Sequence, residues 1–223
     1  MIEQNYKVIN KVIQSKKTFV FDFDGVLADS VKIKTEAFAE LYKPYGMKIV
    51  SKVVKHHCAN GGMSRFEKFK FYHEEFLDII LNDDSVLKLS KKFSNIVVER
   101  VIKSNEIPGA YDFLEAYCIN NKKCFINSAT PIDEMKEIIY HRKMSKFFIS
   151  ILGSPNSKND NLNEIFLTDS LPSETIFFGD ASSDFYAASV ANCEFIGIGD
   201  QIKPILEVSK EKYGLLSNFK LVV

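Results

Sequence analysis

The chain has 223 residues, 46% of them hydrophobic and 26% charged, enough apolar material for one large domain or a main domain with a smaller companion. Lys+Arg and Asp+Glu balance at 29 each, so the formal net charge is zero. That balance argues against a nucleic-acid binder or a membrane-surface protein working through bulk charge.

The opening residues hold no secretory core, and no run approaches the ~18 apolar residues of a membrane span, so a soluble, cytoplasmic protein is expected. Cys58, Cys118, Cys124 and Cys193 make no C-x-x-C pair and no zinc spacing. They are read as reduced, mostly buried thiols. Tyr6, Val8, Ile9, Val12 and Ile13 recur at helical spacing and predict a helix over residues 5–14. TFVFD then predicts a short buried strand ending near Asp22. From 31 to 105 helical periodicity dominates and no strand is expected. Ser64 followed three residues later by Glu67 is a capping box, with Phe66, Phe69, His73, Phe76 and Ile80 continuing that helix. A second helix is predicted over about 86–103, and IPG at 107–109 breaks the pattern.

Beyond that break the pattern alternates. AYDFLEAYCINN predicts a helix and KCFIN a strand. TPIDEMKEIIYHRK predicts a helix with Thr130 as N-cap, Pro131 at its first position and Asp133 in its first turn. FFISILG, TIFFGD and EFIGIG predict strands, with DFYAASVA a helix of small residues between the last two. Alternating strands and helices imply a mostly parallel, doubly wound sheet covered on both faces. The expected architecture is an α/β core formed by 1–30 and 106–223, with an all-helical insert over 31–105.

In such a sheet, ligands bind beyond the carboxyl ends of the strands. The predicted strands deliver Asp22 and Asp24, then Ser128, then Asp180 with Asp184 a turn further on, while the loop GSPNSKND offers Lys158. Clustered carboxylates without His or Cys suit a hard, oxygen-loving cation, Mg²⁺ and not Zn²⁺, and favour a phosphate ligand. Asp24 has a like charge two residues away, which is expected to raise its pKa and help it hold a proton.

DFDGVLADS, INSAT, the Lys158 loop and GDASSD, in this order, resemble the four motifs of the haloacid dehalogenase-like superfamily, in the subgroup with a helical cap after the first motif that includes phosphoglycolate phosphatase and β-phosphoglucomutase. The resemblance implies a Rossmann-like core and a mechanism. Asp22 attacks the phosphorus of a phosphomonoester, forming an aspartyl-phosphate. Asp24 protonates the leaving oxygen and later serves as base toward water. Mg²⁺ is held by Asp22, the backbone carbonyl of Asp24 and Asp180, with Asp184 either a further ligand or a support behind them. Ser128 binds a phosphoryl oxygen, and Lys158 offsets the charge shared by Asp22 and the phosphate. Where the family often has Ala-Gly after its fourth-motif helix, this chain has Ala191-Asn192, and Asn tolerates the left-handed turn.

Asp29 is expected to pin the turn, and Thr130 to serve as a cap and not as a phosphate ligand. The four histidines are assigned to the surface or to helix faces. Arg65, in the first turn of a capped helix, is either a substrate-binding residue or a solvated surface arginine. The leading function is a Mg²⁺-dependent phosphatase for a small phosphorylated metabolite. A sugar phosphomutase and a non-catalytic binding protein on the same scaffold are the alternatives.

Overall fold

A computed structural model describes residues 2–119, 122–209 and 214–223, with side chains from residue 6 onward. Helix α1 (Ile2–Ser15) leads into strand β1 (Thr18–Phe21), which is buried throughout. Four helices follow as an insert: α2 (Val31–Tyr42), α3 (Met47–Ala59), α4 (Arg65–Leu77) and α5 (Asp83–Ile102). This is the inserted helical cap. The chain then alternates through α6 (Ala110–Cys118), β2 (Lys123–Pro131), α7 (Ile132–His141), β3 (Ser150–Ser154), α8 (Lys158–Phe166) and β4 (Thr175–Gly179). It ends with α9 (Ser182–Val190), β5 (Glu194–Ile198), α10 (Lys203–Val208) and β6 (Gly214–Leu216).

The sheet order is β3-β2-β1-β4-β5-β6, and every neighbouring pair is parallel. Strand β1 therefore lies between β2 and β4. Phe21 pairs with Ile126 on one side and Phe178 on the other, so β1 and β4 end within a residue of each other while β2 runs on to Pro131. Period-2 alternation divides β1 between two cores. Phe19 and Phe21 face one layer, where Phe21 stacks on Phe178 with centroids 4.9 Å apart and Phe113 stacks on Phe19 at 5.9 Å. Val20 faces the other, with Phe125, Phe177, Leu162 and Phe185. A strand buried on both faces is mostly apolar, so FVF shows no alternation, and the one polar side chain, Thr18, has its hydroxyl 3.3 Å from Ser170 Oγ.

The cap has its own aromatic centre, in which Phe38 meets Phe93 at 4.4 Å and Tyr72 at 5.8 Å. The Ser64–Glu67 capping box forms as expected. Asn192 takes the left-handed conformation, φ +52°, expected of it. Among the described residues no helix is long and apolar enough to cross a membrane.

Several expectations are corrected. Strand β2 runs on to Pro131, so α7 starts at Ile132 and Thr130 does not cap it. Lys158 is not in a loop: it is the first residue of α8, behind a Ser157–Asp160 capping box. Cys118 and Cys124 are joined in a disulfide, because the end of α6 and the start of β2 bring their Cα atoms to 5.8 Å. Of the other two, Cys58 is exposed and Cys193 partly buried. His57 and His73 are buried inside the cap, with His73 Nδ1 within 3.0 Å of the Tyr42 hydroxyl. The three-residue β6 went unforeseen.

Candidate active site

Asp22 follows β1 directly and stays tied to the sheet, its N–H donating to the Phe178 carbonyl at 2.9 Å. Its carboxylate accepts the Phe23 N–H at 2.7 Å on one oxygen and Lys158 Nζ at 2.8 Å on the other. Lys158 is aimed there by β2: the Asn127 amide donates to the Lys158 carbonyl at 2.9 Å and accepts from the Asn161 amide at 2.9 Å. The same ammonium pairs with Asp184, whose second oxygen accepts the Ala181 N–H at 3.0 Å at the start of α9. Burial opposes the charge of Lys158, but Asp184 and Asp22 outweigh it and hold its pKa above the ordinary value.

Asp180 completes a cluster in which Asp22, Asp180 and Asp184 bring carboxylate oxygens within 4.8 Å of one another. Burial first, then the Asp22 and Asp184 charges, push the Asp180 carboxyl well above the usual range. Burial likewise raises Asp184 to about 6, with Lys158 pulling down and Asp22 pushing up. One ammonium is shared by two carboxylates, and among the described residues Asp180 has no ion-pair partner. An all-oxygen cluster short of positive charge fits a hard divalent cation. The turn after β1 makes room for the Asp180 carboxylate: at Gly25, φ +79°, a Cβ would lie 2.1 Å from an Asp180 oxygen, so only glycine fits.

Asp24 belongs to a separate set. One oxygen accepts the Ser30 hydroxyl at 2.5 Å; the other accepts Lys34 Nζ and, at 3.3 Å, the Thr130 hydroxyl. Lys34 also donates to Thr130 Oγ1 at 2.6 Å. Burial raises the Asp24 carboxyl, yet Lys34, Ser30 and Thr130 together bring it below the usual value. This corrects the expectation of a raised pKa: the cation from α2, with the Ser30 and Thr130 hydroxyls, outweighs burial. Ser128 is buried beside it, its Oγ accepting the Thr130 N–H at 3.2 Å.

These groups open on a cavity of about 430 Å³ between sheet edge and cap. Asp22, Asp24, Ser128 and Asp180 line it from the core; Lys34, Phe38, His57, Arg65 and Lys68 line it from the cap. Lys158 and Asp184 are not among its lining residues and connect to it through Asp22. Arg65 is no surface residue. Its guanidinium pairs two-pronged with Glu134 of α7, at 2.7 and 2.5 Å, donates to Ser94 Oγ at 2.8 Å and lies 4.6 Å from the Phe93 ring centre.

A family model of haloacid dehalogenase-like hydrolases matches residues 19–198, most of the chain and all of the strands that carry these side chains. The chain belongs to the haloacid dehalogenase-like hydrolase family. Among solved structures, the hydrolase is similar to a β-phosphoglucomutase from Clostridium difficile (21% identity, 93% of each chain covered, TM-score 0.73). It is also similar to a protein from Haemophilus somnus described as a predicted phosphoglycolate phosphatase (18% identity, 92% of this chain and 95% of that one, TM-score 0.70). A magnesium-bound hydrolase of the same superfamily from Bacillus subtilis aligns over 93% of this chain and 98% of its own at 14% identity, TM-score 0.66. At these identities the likeness is one of fold. No curated protein matches the hydrolase.

The site thus gathers Asp22, Asp24, Ser128, Asp180, Asp184 and Lys158 at one sheet edge and sets Arg65 on the cavity wall opposite. Sequence reading missed Ser30 and Lys34 as partners of Asp24. Their i, i+4 spacing at the start of α2 is the signal that they share one helix face. It also missed Asn127, Glu134 and Lys68, whose partners are remote in sequence and leave no local pattern.

Proposed function

We propose that this hydrolase is a Mg²⁺-dependent phosphatase acting on a small phosphorylated metabolite through an aspartyl-phosphate on Asp22. The observation that carries the reading is the separation of two acids at one strand end. Asp22 is held by Lys158 and flanked by two further carboxylates, while Asp24 has its own donors. In this reading residues 1–30 and 106–223 form the core domain, and 31–105 form the cap that encloses the substrate.

Mg²⁺ would be held by Asp22, Asp180, Asp184 and the Asp24 carbonyl, and when bound supplies charge neutralisation at the phosphoryl oxygens. The chain's own residues do the rest. A carboxylate oxygen of Asp22 bonds to phosphorus as the ester P–O bond breaks, and Lys158 keeps Asp22 oriented. Ser128 Oγ accepts from Thr130, which leaves its proton for a phosphoryl oxygen. Asp24 passes a proton to the departing oxygen, then takes one from the water that cleaves the acyl-phosphate. With Lys34 keeping Asp24 ionised in the free protein, that first proton arrives with the substrate, since a phosphomonoester has a pKa of about 6.

The test is phosphate release from p-nitrophenyl phosphate with and without Mg²⁺, beside Asp22→Asn. Metal-dependent turnover that Asp22→Asn abolishes is expected; turnover that persists in the variant overturns the mechanism. A screen of phosphorylated metabolites then names the substrate.

A further inference from the structure

Lys68, on α4, is 1% exposed. Its ammonium carries three N–H donors, and among the described residues its one hydrogen-bond acceptor is His57 Nδ1, at 2.9 Å. The Phe38 ring lies beside it, 5.6 Å from Nζ to centroid. The other cations on this wall are matched, Lys34 by Asp24 and Arg65 by Glu134. Lys68 alone of the three has no carboxylate, and a buried ammonium without a counter-charge is costly to keep. It lines the cavity, so the missing acceptor can come from a ligand. His57 adds to the same feature. With Nδ1 accepting from Lys68, its remaining proton sits on Nε2, a further donor on the cavity wall.

We propose that the substrate carries a second anionic group, a carboxylate or a further phosphate, remote from the ester, and that Lys68 with His57 recognises it. The proposal rests on the phosphatase reading above and deepens it. Asp22, Asp180 and Asp184 take the reacting end; the unmatched cation of the cap takes the other.

Proton linkage follows from the same geometry. Lys68 is surrounded by Lys34 of α2, His56, His57 and Cys58 of α3, Glu67 of α4 and Asp24 of the core. Burial and then Lys34 lower its pKa to about 7, against the opposing pull of Cys58, Glu67 and Asp24. His57, brought down to about 3 by burial and then Lys68, remains neutral throughout. The empty site loses its ammonium proton as pH rises past neutrality, and a bound anion draws it back. Preference for an anionic tail therefore declines on the alkaline side of pH 7, while turnover of a neutral-tailed ester does not follow that profile.

The experiment compares kcat/KM within matched pairs on the Mg²⁺-loaded enzyme: phosphoglycolate against ethyl phosphate, and propane-1,3-diol bisphosphate against propyl phosphate. A ratio of about tenfold or more is expected in one pair, the effect of one charge-assisted hydrogen bond, and which pair shows it tells carboxylate from phosphate. Lys68→Met should bring that ratio close to one, and Lys68→Arg should retain part of it. A ratio taken within one protein is insensitive to how much of the variant is folded. Ratios near one in the wild type, with p-nitrophenyl phosphate still hydrolysed, overturn the proposal and leave the phosphatase reading standing. A wild-type ratio unchanged by Lys68→Met overturns it equally. No hydrolysis of any ester by the wild type overturns the phosphatase reading itself, and this proposal with it.

Discussion

Glu134→Gln tests how the cap is fastened to the core. Glu134 and Arg65 are 7% and 5% exposed, and their two-pronged pair joins α7 of the core to α4 of the cap. Ser94 of α5 donates to the same Glu134 oxygen at 2.5 Å. The substitution keeps the shape and removes the charge, leaving a guanidinium buried against Phe93 with no counter-ion. Breaking a buried pair from one side costs about 3–5 kcal/mol, and the amide oxygen that remains places this variant near 3 kcal/mol. Arg65 can also escape to water if α4 lifts from α7. Urea unfolding should then show the loss in global stability, and hydrogen exchange should show α4 amides opening more often. Arg65→Met/Glu134→Met, which replaces the pair with apolar groups, should recover most of the loss. A Glu134→Gln protein within about 0.5 kcal/mol of wild type, with α4 exchange unaltered, would refute the reasoning.

Lys34→Met removes the cation that brings Asp24 below the carboxylate range. The limb of the pH–rate profile that disappears in Asp24→Asn should move up by about 1–3 pH units, and an unmoved limb rules out the clamp. Lys68→Met should stabilise the fold. With a folded pKa of about 7 against the ordinary 10.5, the buried charge costs its full amount below pH 7 and nothing above 10.5. At pH 7 the gain is about 2–4 kcal/mol after the lost His57 contact, at 1.36 kcal/mol per unit, and it shrinks toward pH 10. Urea titrations at both pH values check it; a gain that does not depend on pH would be unrelated to the ammonium.

Strands β1 to β5 were legible because each is a short run rich in apolar residues, as a buried pleat demands, and β1 and β4 lead straight into acids. Asp22, Asp24, Asp180 and Asp184 could be placed because each lies within a few residues of a strand end. What stayed hidden depends on how one element packs against another. Asp24 was expected to feel mainly Asp22, but α2 folds Lys34 onto it from ten residues away. Thr130 looks like a helix cap because Pro131 follows it, yet β2 carries it further and turns its hydroxyl to Asp24. Arg65 at a helix start suggests exposure, and only the docking of α4 on α7 shows Glu134 waiting for it. Cys118 and Cys124 have no motif spacing, because the approach of α6 to β2 and not a local pattern brings them together.

The central place of β1 has a consequence for where the reactive acids are seated. Its amides bond on both sides, to β2 and β4, and no residue of the strand reaches solvent. Such amides open to exchange only when the whole core comes apart. Asp22, the nucleophile of the proposed mechanism, thus follows a strand bonded on both sides, flanked by the strands that lead to Ser128 and Asp180. Lys34–Asp24 and Arg65–Glu134 tie the cap to that frame, beside a buried apolar layer that cap and core share. The wall that faces the acids and the acids themselves are thus seated in different parts of this chain, the first on cap helices and the second beyond a strand buried on both faces.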